Sequence, residues 1–274
     1  MIKIATMGDN VVDCYVSRGE MFPGGNCLNV SVFTRRFGAE TAYIGAIGRD
    51  PAGDVILSVL QQEDVGVSRL RRIDGPTAYC VIGHRDGDRV FESFDLGVSM
   101  FQPDEGDFEF LQGFSAVHVG QSSGLDRHLE RAAGCTRLSY DFSTRRDAGH
   151  RKSIAHFCFL ASVSGSGFAP AEIESVSEDL LAGGAKWVLV TRGRDGATLW
   201  GSGGKFAVMA APVEAVDTLG AGDSFIARTL YGLVAGEEPF KLLQAASIAA
   251  AETCRHYGAV GHGRPIDVPA LARR

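Results

Sequence analysis

Short apolar runs alternate along this chain with longer segments whose apolar positions recur three and four residues apart, and glycines mark most of the changes. Runs at 2–7, 11–16 and 41–47 predict strands, the first ending at Gly8, Asp9 and Asn10. The segment 22–29, Phe-Pro-Gly-Gly-Asn-Cys-Leu-Asn, predicts the opening of a helix that reaches Phe37 and is closed by Gly38. A turn at 48–53 then leads into a helix ending near Gln62. Strand, helix, strand, helix in that order implies parallel crossover units and a layered α/β core. From Thr77 the period shortens to two, and 77–83 and 89–94 read as the arms of a hairpin around 84–88. This antiparallel piece is expected to project from the core, with 11–22 beside it, as a lid that keeps water from a reacting hydroxyl.

The crossover pattern then resumes, with strands predicted at 116–119, 138–142, 157–161 and 187–191 and helices at 125–133 and 171–181. Two further strands are expected at 197–200 and 205–209, a last helix over 238–256, and a peripheral tail at 261–274. The expectation is one domain over 1–274, with a small lid formed by about 11–22 and 76–96.

The rest of the chain reads as support for the stretch 217–225, Asp-Thr-Leu-Gly-Ala-Gly-Asp-Ser-Phe. An apolar segment ends at Val216, and from Asp223 a helical pattern puts Phe225, Ile226, Thr229, Leu230, Leu233 and Val234 on one face. Gly220, Ala221 and Gly222 carry little or no side chain, so a ligand can reach their N–H groups at the positive end of that helix. Asp223 inside such an anion cradle is of no use for holding phosphate. A carboxylate there suits proton removal from a nucleophile, which points to phosphoryl transfer to a hydroxyl. A glycine turn with a capping aspartate is the alternative reading of these residues.

In a sheet of this kind ligands sit beyond the carboxyl ends of the strands. The candidates there are Asp9, Asn10, Asp13, Gly24, Gly25, Asn26, Asn29, Asp141 and Arg192. Asp9 and Asp13 can accept from vicinal hydroxyls, and Asn26 and Asn29, three apart on a helix start, face one way as a polyol clamp. Against this, Asn26 can serve as a helix cap and Asp13 can face solvent. His118, inside an apolar strand, reads as a core histidine. Arg35 and Arg36, Arg71 and Arg72, and Arg145 and Arg146 read as solvated helix or loop surface. Arg89 opens a lid strand and is placed to meet an anionic group of a substrate.

Composition narrows the classes. The formal net charge of −6 argues against nucleic acid as partner. No run approaches the roughly 18 apolar residues of a membrane span, and the first strand carries no basic leader, so a cytoplasmic setting is expected. Six cysteines without a CxxC pair read as reduced, packed thiols, neither disulfides nor a zinc site.

These motifs resemble the ribokinase-like, PfkB carbohydrate kinases over nearly the full length. The landmarks are 24–29 (Gly-Gly-Asn-Cys-Leu-Asn) followed by Gly38, Gly45, Gly48, Asp50 and Gly53; then Thr191, Arg192, Gly193 and Gly196; then 217–225. The resemblance implies a three-layer α/β/α core with a mostly parallel sheet and a small β lid. It implies that Asp223 is the catalytic base and that the backbone of Gly220, Ala221 and Gly222 holds the transferring phosphoryl group. Asp9, Asp13, Gly24, Gly25, Asn26 and Asn29 would hold the sugar, with Arg89 beside them. Thr191, Gly193, Gly196, Thr218 and the surroundings of Ser247 would line the nucleotide. Mg-ATP, a monovalent cation such as K+ near Asp217, and a homodimer formed through the lids are further implications.

A subgroup, the fructoselysine 6-kinases, is similar in 8–13 (Gly-Asp-Asn-Val-Val-Asp), the short gap to Phe22, 88–91 (Asp-Arg-Val-Phe) and 140–143 (Tyr-Asp-Phe-Ser). That implies ATP-dependent phosphorylation of a fructosyl-amino acid, at the 6-hydroxyl in fructoselysine. The short 14–21 segment trims one side of the lid and leaves room for a substrate tail. Two departures stand out: Ser162-Val-Ser-Gly165 replaces the usual Asn-x-x-Glu near magnesium, leaving its ligands unassigned, and Ser247 replaces an Asn. Another ketose, a pentose or a nucleoside is the nearest alternative acceptor, the last with Tyr79, Phe91 and Phe94 as a stacking shelf. A catalytically silent sugar-binding protein is the alternative from another class, and a dinucleotide oxidoreductase is disfavoured because the first strand lacks a GxGxxG turn.

Overall fold

The computed structural model describes residues 1–85, 88–268 and 271, and of 84, 85 and 88–91 the backbone alone. In chain order, β1 (Lys3–Met7), β2 (Val11–Tyr15) and β3 (Glu20–Gly24) precede α1 (Asn26–Arg36). β4 (Glu40–Gly48), α2 (Pro51–Gln62) and β5 (Gly66–Ile73) follow, then the pair β6 (Tyr79–Arg85) and β7 (Asp88–Asp95), then α3 (Glu105–Leu111). β8 (Ala116–Gly120), α4 (Leu129–Cys135), β9 (Arg137–Asp141), α5 (Ala148–Ile154), β10 (Cys158–Ser164), α6 (Pro170–Ala182) and β11 (Trp187–Thr191) alternate strictly. β12 (Ala197–Gly201), β13 (Gly204–Val208), α7 (Ala221–Ala235), α8 (Pro239–Thr253) and β14 (Arg264–Pro265) complete the order.

Nine strands form the main sheet in the order β13-β12-β11-β10-β9-β8-β1-β4-β5. All neighbours from β11 to β5 are parallel, while β12 and β13 run antiparallel at the edge. Alternation along β1 sorts its side chains between two cores. Ile4 packs with Leu28, Ile56, Leu230 and Leu242 of α1, α2, α7 and α8. Ala5 and Met7 pack with Phe108, Leu129, Ile154 and Ile173 of α3, α4, α5 and α6. The result is three layers with a sheet apolar on both faces, as parallel sheets require. Strand order reverses at β1, with β4 and β5 on one side and β8 to β11 on the other. A crevice therefore opens beyond the carboxyl ends of β1 and β8.

A second, five-stranded sheet, β14-β3-β2-β6-β7, carries the segments expected to form a lid. It contains the two expected pieces and two that were not expected. Residues 22–24 are strand rather than helix start, because Gly25 adopts φ 101°, a left-handed value that breaks the chain direction before α1. The tail is not wholly peripheral either, since Arg264 and Pro265 pair with Met21 and Glu20.

The patterning also missed β5, α3 and α5. In β5 arginines at 69, 71 and 72 interrupt the apolar run. They are ion-paired rather than merely solvated: Arg69 and Arg71 both reach Asp107 and Asp104 at the start of α3, and Arg72 reaches Asp54. Arg35 and Arg36 likewise pair with Asp64 and Glu63 at the end of α2. All six cysteines are free thiols. Among the described residues no helix is long and apolar enough to cross a membrane.

Candidate active site

The 217–225 stretch folds as a turn followed by α7. Gly220 sits at the helix N-cap with φ 79°, and a Cβ there would stand 2.4 Å from the Cβ of Ala259. Both facts require glycine. A Cβ on Gly222 would meet nothing within 4 Å, so the backbone at this point is open to a ligand. The turn is pinned by the Ala221 N–H donating to the Thr218 carbonyl at 3.3 Å and the Ser224 N–H to the Gly220 carbonyl at 2.8 Å. First-turn N–H groups of a helix have no partner within it, which leaves those of Gly222 and Asp223 available for an anion.

Asp223 is the third residue of α7, and its carboxylate crosses to α1. It accepts from Asn29 Nδ2 at 2.7 Å through Oδ2 and from Asn26 Nδ2 at 2.8 Å through Oδ1. Asn26 Nδ2 also donates to Asp141 Oδ2 at 3.1 Å, so one amide bridges two acids. The expected polyol clamp thus spends both of its amides on Asp223. Burial raises the Asp223 pKa to about 7, helped by Asp141 and Asp9 and opposed by the two asparagines. Burial likewise raises Asp141 to about 6, against hydrogen bonds from the Ser143 N–H and the Ser162 hydroxyl. Two neighbouring carboxyls therefore titrate near neutrality, the range a general base needs.

Asp9, at the end of β1, does the capping that Gly25 cannot. It accepts from the N–H groups of Asn26 at 2.9 Å and Cys27 at 3.3 Å and from the Ser123 hydroxyl at 3.0 Å. Asp13 is buried on β2 instead of facing solvent, and a Cβ on Gly24 would come within 2.1 Å of its carboxylate. A Cβ on Gly25 would stand 2.7 Å from the Asn10 Cα, so the two glycines let β3 and α1 close on the β1–β2 turn. Asn10 donates to the Tyr43 hydroxyl and the Ala46 carbonyl, each at 2.8 Å. Its Oδ1 and that of Asn29 are buried without a protein donor among the described residues.

These groups line a cleft of about 310 Å³ between the strand ends and the lid, with Phe94, Asp95 and Leu96 at its lid side. A larger groove of about 560 Å³ lies at the opposite ends of the strands, by Lys3 and Glu40. There the charges are paired with each other, Lys3 with Glu40 and Arg35 with Asp64, so the smaller cleft is where chemistry can occur.

On the far side of α7, Thr191 ends β11 and Gly193 and Gly196 form the turn to β12, both at positive φ. A Cβ on Gly196 would fall 1.9 Å from the Val208 carbonyl. Thr218 is exposed, just ahead of α7. Ser247 is buried on α8, and its hydroxyl is committed on both sides: it accepts from the Ala211 N–H at 2.8 Å and donates to the Met209 carbonyl at 3.0 Å. It fixes the loop after β13 rather than offering a free group. Arg192 turns away from the cleft, its guanidinium donating to the Asp195 carbonyl at 2.7 Å. Arg89 pairs with His84 through the backbone of β7, and its side chain, like that of Phe91, lies outside the described residues.

The metal positions differ in their surroundings. Ser162 bonds Asp141 at 3.0 Å, which makes Asp141 the acid nearest the altered 162–165 stretch. Among the described residues no group of three His, Cys, Asp or Glu could hold a metal by itself. Magnesium is commonly held by substrate phosphates and water with one or two carboxylates, and Asp141 is a carboxylate at this place. The carboxylate of Asp217 accepts from the Tyr15 hydroxyl, the Leu219 N–H and the Gly258 N–H. These donors take three of its roughly four acceptor positions, two on Oδ2 and one on Oδ1.

Sequence reasoning passed over three contributors. Ser123 holds Asp9. Tyr15 ties the lid to Asp217. His118, fully buried on β8, lies 2.9 Å from Asn26 Oδ1 through Nε2 and 2.9 Å from Ser139 Oγ through Nδ1. The available signal was its place two residues before the carboxyl end of a strand, next to the crevice.

Residues 2–148 and 153–265 match the model of the pfkB family carbohydrate kinases. A fructosamine kinase, FrlD, of Bacillus subtilis (strain 168) is 34% identical over 271 residues, covering 96% of this chain and 95% of its own. A fructoselysine 6-kinase of Escherichia coli (strain K12) is 32% identical over 266 residues, covering 94% and 100%. Among solved structures, Arabidopsis thaliana ribokinase complexed with ribose and ATP superposes with a TM-score of 0.81 at 19% identity, covering 95% of each chain.

Proposed function

The chain belongs to the pfkB family of carbohydrate kinases, and from that premise we propose that its acceptor is a fructosyl-amino acid, phosphorylated at the 6-hydroxyl as in fructoselysine. It is an ATP-dependent sugar kinase. The observation that carries the mechanism is Asp223: a half-buried aspartate whose carboxyl is pushed up to about 7, held by two amides at the mouth of a helix N-terminus.

The acceptor's primary hydroxyl lies against Asp223, which takes its proton as the oxygen attacks the γ-phosphoryl group in line. The N–H groups at the start of α7 receive the charge that grows on the transferring oxygens. Asp9, Asp13, Gly24, Gly25 and Asn29 shape the sugar side, where Asn10 Oδ1 and Asn29 Oδ1 are acceptors for sugar hydroxyls. Thr191, Gly193, Gly196 and Thr218 border the nucleotide, with the loop that Ser247 fixes. Mg2+ would be held by the nucleotide phosphates and water beside Asp141, neutralising phosphate charge. A monovalent cation such as K+ near Asp217 rests on the resemblance to the family. A homodimer through the lids, which rests on the resemblance to the family, and a cytoplasmic setting belong to the same proposal.

The acceptor reading is supported by the two relatives named for fructosamines and by the cleft's charge. Asp9, Asp13, Asp95 and Asp223 line it, with no Lys, Arg or His among the described lining residues, which suits the ammonium of a fructosyl-amine over a sugar phosphate. ADP release from Mg-ATP, measured over fructosyl-amino acids, free ketoses, aldopentoses and nucleosides, tests it. Selective turnover of a fructosyl-amino acid is expected. Preference for another acceptor overturns the substrate and leaves the base in place.

A further inference from the structure

Asn26 has one carbonyl oxygen and one amide, and its neighbours allow them only one arrangement. Nδ2 lies between Asp223 Oδ1 and Asp141 Oδ2, so both of its protons face carboxylates. Oδ1 lies 2.9 Å from His118 Nε2, with the Cys27 thiol more distant at 4.0 Å. Reversing the amide would set its oxygen against two acids and lose both donors. Beneath that oxygen is Gly120, where a Cβ would stand only 2.2 Å from it. Backbone and imidazole together seat the Asn26 oxygen.

Asn26 Oδ1 can only accept, so His118 carries its proton on Nε2, and Nδ1 accepts from the Ser139 hydroxyl at 2.9 Å. Burial keeps this imidazole neutral throughout the neutral range, with a pKa lowered to about 3. The positions beside it on β1 and β9, Thr6 and Ser139, are uncharged. The polar chain therefore runs one way: Ser139 to His118, His118 to Asn26, Asn26 to Asp223 and Asp141.

We propose that His118 is a positioning residue for the catalytic base, holding the Asn26 amide with its donor toward Asp223. The proposal rests on the assignment of Asp223 as base. The charged groups that face Asp223 are Asp9 from the end of β1 and Asp141 from the end of β9, with the amides of Asn26 and Asn29 from α1. The acids raise its pKa and the amides lower it. Releasing Asn26 removes one amide donor, so Asp223 stays protonated to a higher pH and the acid limb of kcat/KM moves upward.

The test compares His118→Leu, which has no donor, with His118→Gln, which keeps an N–H in reach. The Asp223 carboxyl is titrated by carbon NMR in the ligand-free protein, its signal assigned with Asp223→Asn, so this readout needs no acceptor. The kcat/KM profile is then measured with Mg-ATP and fructosyl-lysine. His118→Leu is expected to raise the carboxyl titration by about one unit or more and to lower kcat/KM about tenfold at pH 7. His118→Gln should restore both most of the way. A wild-type titration in His118→Leu overturns the proposal, and so do equal shifts in the two variants, which would mean packing alone. If the leucine variant does not fold, Ser139→Ala takes its place. It must shift the titration in the same direction, and an unchanged value overturns the proposal. Absence of turnover of fructosyl-lysine by the wild type would reject the acceptor while the NMR comparison still decides the role of His118.

Discussion

A carboxyl that titrates near 7 is half protonated at pH 7, so Asp223 is a base whose availability changes steeply across the neutral range. kcat/KM should therefore fall as pH drops below about 7, and Asp223→Asn should lose about 10²–10⁴-fold in turnover. Isothermal titration with the acceptor should still show binding by that variant, and near-normal turnover would remove Asp223 from the mechanism. The identity of Asp223 was legible because a glycine turn, a helix start and an acid fall within seven residues. Its partners were not. Asn26 and Asn29 read as sugar ligands from their spacing, yet spacing cannot say which neighbour an amide faces. Asp141 lies 82 positions from Asp223 in sequence, and only the order of strands brings its carboxylate to the same Asn26 amide.

Among the elements, the strands and helices of the core were legible where apolar residues had a clear period. Failures came where charge broke the pattern. β5 has three arginines in eight residues, all used in ion pairs. β14 has two residues, too few for any period. A side chain ties the lid to the phosphate turn: Tyr15 of β2 donates to Asp217, and its ring packs edge-on against Phe22 and Tyr257. Tyr15→Phe keeps the ring and removes the donor. Steady-state kinetics should show kcat reduced about tenfold, the rough worth of a hydrogen bond to a charged group, with thermal stability little changed. Unaltered kinetics would mean that lid and turn act independently.

For the whole molecule, buried His118 and half-buried Asp223 and Asp141 contribute to how stability depends on pH. Asp223 and Asp141 have folded pKa values of about 7 and 6, above the unfolded value of about 3.9. Their contribution is complete below the unfolded value and is lost as pH rises through 6 and 7. His118, lowered to about 3, works in the opposite sense: the unfolded state takes up its proton below about 6.5, so its contribution fades as pH falls from there. The two effects oppose each other below 6.5, and above it Asp223 dominates. Thermal unfolding of the ligand-free protein should thus show Tm falling between pH 6.5 and 8, and Asp223→Asn should flatten that decline. A rising Tm in the wild type over this range would contradict the burial of the Asp223 charge.

The pairing of β14 with β3 also bears on how the protein is made. Arg264 meets Met21, so the lid sheet joins the last strand among the described residues to one of the first. At the usual 5–20 residues per second, a ribosome needs roughly ten to fifty seconds to synthesise the chain between them. Through that interval β3 presents an unpaired edge while the three-layer core forms around β1, so the lid is completed last in biosynthesis. A nascent chain would acquire its fold before its closure, and chaperone contact during translation would concentrate on the exposed edge of β3.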